Sequence, residues 1–62
     1  MDSATERVWS NLRRMWGKGH SFDHKPGEDN PFLATRRRDG REFAAKSPES
    51  LRSLIRASAR RF

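Results

Sequence analysis

Phe32-Leu33-Ala34-Thr35-Arg36-Arg37-Arg38-Asp39-Gly40-Arg41-Glu42-Phe43-Ala44-Ala45-Lys46, followed by Ser47-Pro48-Glu49-Ser50, is the stretch on which the fold turns. Asp39-Gly40 lies between two half-apolar runs, and Gly, with Asp less readily, takes the positive φ of a tight turn, so the stretch reads as a β-hairpin. A two-residue loop sets Arg37 opposite Glu42 and Arg36 opposite Phe43. It gathers Phe32, Ala34, Phe43 and Ala45 on one face and leaves Leu33, Thr35, Arg37, Glu42 and Lys46 on the other. A three-residue loop, Arg38 to Gly40, would instead set Leu33 and Thr35 beside Phe43. The first is the expected register, because it collects both phenyl rings on one side.

The hairpin runs into a helix. Ser47 can cap a free backbone N–H, Pro48 suits the first helical position, and Glu49 complements the positive end of the helix dipole. Leu51, Leu54, Ile55, Ser58 and Phe62 then share one stripe at helical spacing, and Arg52, Arg56 and Arg60 form a separate ridge.

Upstream, Ser3-Ala4-Thr5-Glu6 fits a capping box with Ser3 as cap and Glu6 reaching back. Val8, Trp9, Leu12, Met15 and Trp16 make an apolar stripe, and Gly17 is the expected left-handed residue ending the helix. His20-Ser21-Phe22-Asp23-His24 alternates as a short strand, with His20, Phe22 and His24 facing one way. Lys25 to Pro31 is turn-rich, since Pro-Gly and Asn-Pro break regular structure. The expected fold is therefore α+β in the order α-β-β-β-α: a three-stranded antiparallel sheet with two helices packed on one face. Residues 1–62 make a single domain.

So short a chain buries only about 60% of its unfolded surface, and a second copy or a partner would add burial. Without cysteine there is no disulfide or thiolate metal site. No apolar run approaches the roughly 20 residues of a membrane span, nor does a signal-peptide core follow Met1, so a cytoplasmic protein without membrane association is expected. The net charge of +6 is uneven. Residues 1–35 hold five basic against five acidic side chains, whereas residues 36–62 hold nine against three. Such asymmetry favours an anionic partner, nucleic acid first and an acidic protein second.

The functional candidates are accordingly arginines. Arg36, Arg37, Arg38 and Arg41 surround the hairpin tip, while Arg52, Arg56, Arg60 and Arg61 belong to the last helix. Guanidinium forks suit phosphate oxygens, and phosphate contacts supply most non-specific affinity for nucleic acid. Trp9 and Trp16 either fill a small core or present a partner interface. His20 and His24, on a strand, lie about 13 Å apart along the chain, too far to share one ion, and no metal or cofactor is expected. Proximity to Asp23 or Glu28 is the only support for either histidine as a catalytic base. The expected role is thus non-enzymatic, with a protein-interaction module or antitoxin-like regulator as the alternative, and a small ribonuclease using His20 or His24 behind it.

Helix–strand–strand–strand–helix in this length is similar to double-stranded-RNA-binding domains and to HicA-type toxin ribonucleases. Arg38-Asp39-Gly40-Arg41 and Leu51-Arg52-Ser53-Leu54-Ile55 carry the local likeness to the latter, which implies the topology. No catalytic residue carries over: where that family has a Gly-Ser-His run at the second strand, this chain has Asp29-Asn30-Pro31-Phe32. Double-stranded-RNA binders place lysines where this chain has Ser47-Pro48-Glu49.

Overall fold

The computed structural model describes residues 2–59. Helix α1 (Ser3–Trp16) leads into strands β1 (His20–His24), β2 (Phe32–Arg36) and β3 (Glu42–Ala45), and helix α2 (Pro48–Ala59) closes the chain. The strands form one antiparallel sheet in the order β1-β2-β3. Alternation along each strand divides the sheet as the sequence implies. Phe32, Ala34, Phe43 and Ala45 are buried beneath the helices together with Trp9, Leu12, Leu51 and Ile55, and Leu33, Thr35, Glu42 and Ala44 face the other way.

The hairpin register matches neither of the two expected. Ala34 pairs with Phe43 and Thr35 with Glu42, and the Arg36 N–H donates to the Arg41 carbonyl at 2.7 Å, so the loop is the four residues Arg37 to Gly40. The reason lies in the turn. A two-residue loop needs positive φ at Asp39 as well as Gly40, but among the described residues only Gly27 and Gly40 have it, Gly40 at 74°. Gly40 alone supplies the left-handed step, its N–H reaching back to the Arg36 carbonyl at 2.8 Å. A two-residue shift preserves the faces, and for that reason the core was legible although the pairing was not.

Helix α2 starts as expected: the Ser50 N–H donates to Ser47 Oγ at 3.2 Å, and Pro48 is buried in the first turn. Helix α1 starts one residue earlier than the Ser3 capping box would have it. Asp2 is the cap, its Oδ1 accepting from the Thr5 N–H at 2.7 Å, and these hydrogen bonds lower the Asp2 pKa. Gly17 is right-handed rather than left-handed. It is needed for closeness, since a Cβ there would be driven into the Arg13 carbonyl oxygen.

Both apolar stripes prove narrower than their sequence pattern. Met15 is 72% exposed and Leu54 44% exposed, because each helix meets a small sheet along only part of its apolar arc. Phe62 lies outside the described residues. We expect Leu12→Ala to cost about 3 kcal/mol in urea unfolding and Met15→Ala less than about 1 kcal/mol. Equal losses would mean that α1 is rotated from the orientation described.

Candidate nucleic-acid interface

The hairpin places Arg36 third in the row Phe32, Ala34, Arg36 on the helix-covered face. There its guanidinium is taken up inside the molecule, with the side chain 12% exposed. Nε and Nη2 donate to the two Asp39 carboxylate oxygens at 3.0 and 2.7 Å, and Nη1 donates to Ser58 Oγ at 2.7 Å. The fork thereby ties β2 to its own turn and to the last turns of α2. Asp39 also accepts from the Arg41 N–H at 3.1 Å. The Arg36 fork, helped by that N–H, holds the Asp39 carboxyl well below the usual carboxylate range. Arg36, expected as a phosphate ligand, is placed as a strut between the hairpin turn and α2.

Around this strut the ends of four elements converge. Arg36 pairs across the sheet with His20, and the Arg37 N–H donates to the Gly19 carbonyl at 2.9 Å. The Trp16 ring stands edge-on to His20, centroids 5.9 Å apart, while Trp9 meets Phe32 at 5.0 Å. Helix α1 therefore runs antiparallel to β1 and ends at the hairpin tip, and Ser58 brings the end of α2 to the same place.

This convergence groups six exposed cations at one end. Arg14 and Lys18 at the close of α1, Arg37, Arg38 and Arg41 around the tip, and Arg56 in the last turn of α2 are all exposed at one pole. Asp39, engaged by Arg36, and Glu42 are the acidic residues there. The remaining acids sit at the opposite pole: Asp2 and Glu6 in the first turn of α1, Asp23, Glu28 and Asp29 around the β1–β2 connection, and Glu49 at the start of α2. Arg52 is exposed one turn back along α2. Two cations also rest on aromatic rings, Arg41 at 5.5 Å from the Phe43 centroid and Arg13 at 5.7 Å from that of Trp9. Arg60 and Arg61 lie outside the described residues.

Trp9 is buried in the core, edge-on to Phe22 and Phe32; Trp16 is half-buried against that core. His24 is half-buried, stacked on Phe32 with centroids 4.6 Å apart, and His20 is only 8% exposed. Among the described residues no group of three His, Cys, Asp or Glu is placed to hold a metal ion, and no helix is long and apolar enough to cross a membrane. No protein family, curated protein or solved structure matches the chain. The helix–three-strand–helix layout is therefore a fact of the fold alone.

Two buried nitrogens, His20 Nδ1 and Trp16 Nε1, have no hydrogen-bond partner among the described residues. Burial pushes the His20 pKa below its ordinary 6.5, and the Arg36 charge adds to the shift against the opposing influence of the Trp16 backbone and of Asp39. The folded chain thus takes up a proton at His20 less readily than the unfolded chain, which protonates it below about pH 6.5. The unfolded state then binds more protons, so this contribution is fully present above that pH and is lost as pH falls through it. Thermal melts from about pH 7.5 to about pH 5.5 should show a falling Tm for the wild type and a flatter profile for His20→Phe. Parallel profiles would contradict this assignment.

Proposed function

We propose that this chain is a small non-enzymatic basic domain that binds nucleic acid, alone or within a nucleoprotein complex, through the pole built on the hairpin tip. The observation that carries the reading is the segregation of charge: the fold places Arg14, Lys18, Arg37, Arg38, Arg41 and Arg56 at one end and six of its eight acids, with Arg7, Lys25 and Lys46 as the cations among them, toward the other, and so presents a field suited to a polyanion. Arg37, Arg38 and Arg41 reach phosphates from the tip, with Lys18 and Arg56 flanking them and Arg52 extending the surface along α2. Arg36 positions the tip without touching ligand. Contacts of this kind fix a backbone and carry no sequence information, so binding is expected to tolerate many sequences. The layout shared with double-stranded-RNA-binding domains makes duplex RNA the first ligand to try.

The alternative is docking on an acidic protein, which the same field would also favour. Binding to an acidic protein partner but to neither RNA nor DNA would transfer the pole to that role.

The test is filter binding to duplex RNA and duplex DNA across a salt series. Affinity should fall steeply with salt, by a slope of about 0.9 per phosphate contacted on B-form DNA. Replacing Arg37, Arg38 and Arg41 together with Gln should flatten the slope on duplex DNA by nearly three units, about 0.9 for each contact removed. Arg36→Gln should lower Tm while leaving the slope of the folded protein nearly unchanged. Absence of binding at low salt, or salt-independent binding, overturns the proposal.

A further inference from the structure

Strand β3 borders the sheet, with β2 as its neighbour on one side. Because the Arg36 N–H bonds to the Arg41 carbonyl, alternation makes Ala34–Phe43 and Phe32–Ala45 the following hydrogen-bonded pairs. Glu42 and Ala44 therefore turn their backbone N–H and C=O groups toward the outer edge, and the exposed Lys46 follows at the bend that closes the strand. Neither proline nor a bulge, two devices that blunt natural sheet edges, interrupts residues 42–45. Beside this edge, on the helix-covered face, lies a groove of about 190 Å³ lined by Arg41, Phe43, Leu54, Ala57 and Ser58. Leu54, the exposed leucine of α2, sits in it level with Phe43.

We propose that this edge pairs antiparallel with β3 of a second copy of the chain, about a two-fold axis through Ala44. The charges select the occupant. An antiparallel ladder forms only where outward-turned residues face each other. Centred on Ala44, that ladder sets Glu42 opposite Lys46 of the second copy, and Lys46 opposite the copy's Glu42. Centring it on Phe43 or Ala45 loses both pairs. Opposite charges directly across strands favour pairing and like charges oppose it, so Glu42-Phe43-Ala44-Ala45-Lys46 is complementary to itself in a single register.

The helices fit the same axis. Strands lie about 4.8 Å apart, and α2 rests on both β2 and β3, so the two copies of α2 come side by side at about the 8–10 Å of packed helices. Leu54 and Ala57 occupy the space between them, which gives the exposed leucine a partner. The resulting sheet of six strands points its two basic poles in opposite directions. A strand this short supports a weak dimer, visible as a concentration-dependent mass.

Sedimentation equilibrium or light scattering on the full chain, carried to millimolar concentration, reads the outcome. The wild type should approach twice the 7.2 kDa chain mass. Glu42→Lys alone and Lys46→Glu alone each create two like-charge oppositions and should raise the dimer dissociation constant about tenfold. The double charge swap should restore it, and an equimolar mixture of the two single variants should form a heterodimer. Ala44→Pro, which removes an outward N–H without touching the β2 ladder, should give a monomer with wild-type circular dichroism. A wild type that stays monomeric throughout, or a dimer indifferent to both single reversals, overturns the proposal.

Discussion

The Arg36 side chain is the point at which separate parts of this small fold are held together. Its fork on Asp39 closes the hairpin turn, its third nitrogen reaches Ser58 near the end of α2, and its cross-strand neighbour is His20, the first residue of β1. The fork is charge-assisted and bidentate, and although the Asp39 side chain is 45% exposed, its two parallel bonds fix a geometry that a single-contact ion pair would leave loose. The sheet has only three short strands, so much of its coherence at the tip comes from this one residue. Arg37, Arg38 and Arg41 are exposed around this pair.

The arrangement also explains how a charge asymmetry along the sequence becomes one in space. By sequence, the cations crowd the second half of the chain. In the fold the division is by pole, because α1 runs back along β1 and brings Arg14 and Lys18 to the tip, whereas α2 carries Arg56 to the same end. Both helices thus end in cations, which complements their dipoles, and both begin with acids at the far pole. The macrodipole account and the ligand account are compatible: the first says why such residues are tolerated there, the second what their summed field attracts.

Much of the fold was legible because period-two alternation and turn chemistry are local. His20 to His24 as a strand, the faces of the hairpin and the Ser47 cap all follow from neighbouring residues. The register was not, since the choice between turns depended on whether Asp39 would accept positive φ, and a bond from Gly40 to Arg36 with a carboxylate clamp on Arg36 made that unnecessary. Met15 and Leu54 were misplaced because helical periodicity says which arc is apolar without saying how much of it a partner covers. Arg36 could have been found: the alternation that buries Phe32 and Ala34 also turns residue 36 inward, and Asp39 stands three residues on. Its bond to Ser58, 22 residues away, had no local signal.

The basic pole at the Arg36 junction is the surface we propose for a polyanion. Its most direct test is a map of backbone amide shifts as a short duplex RNA is titrated into isotope-labelled protein at low salt. The predicted changes fall on residues 13–19, 36–41 and 52–59, with the β1–β2 connection and the first turns of both helices unmoved. Changes centred on that connection, or on the uncovered face of the sheet around Leu33 and Ala44, would contradict it.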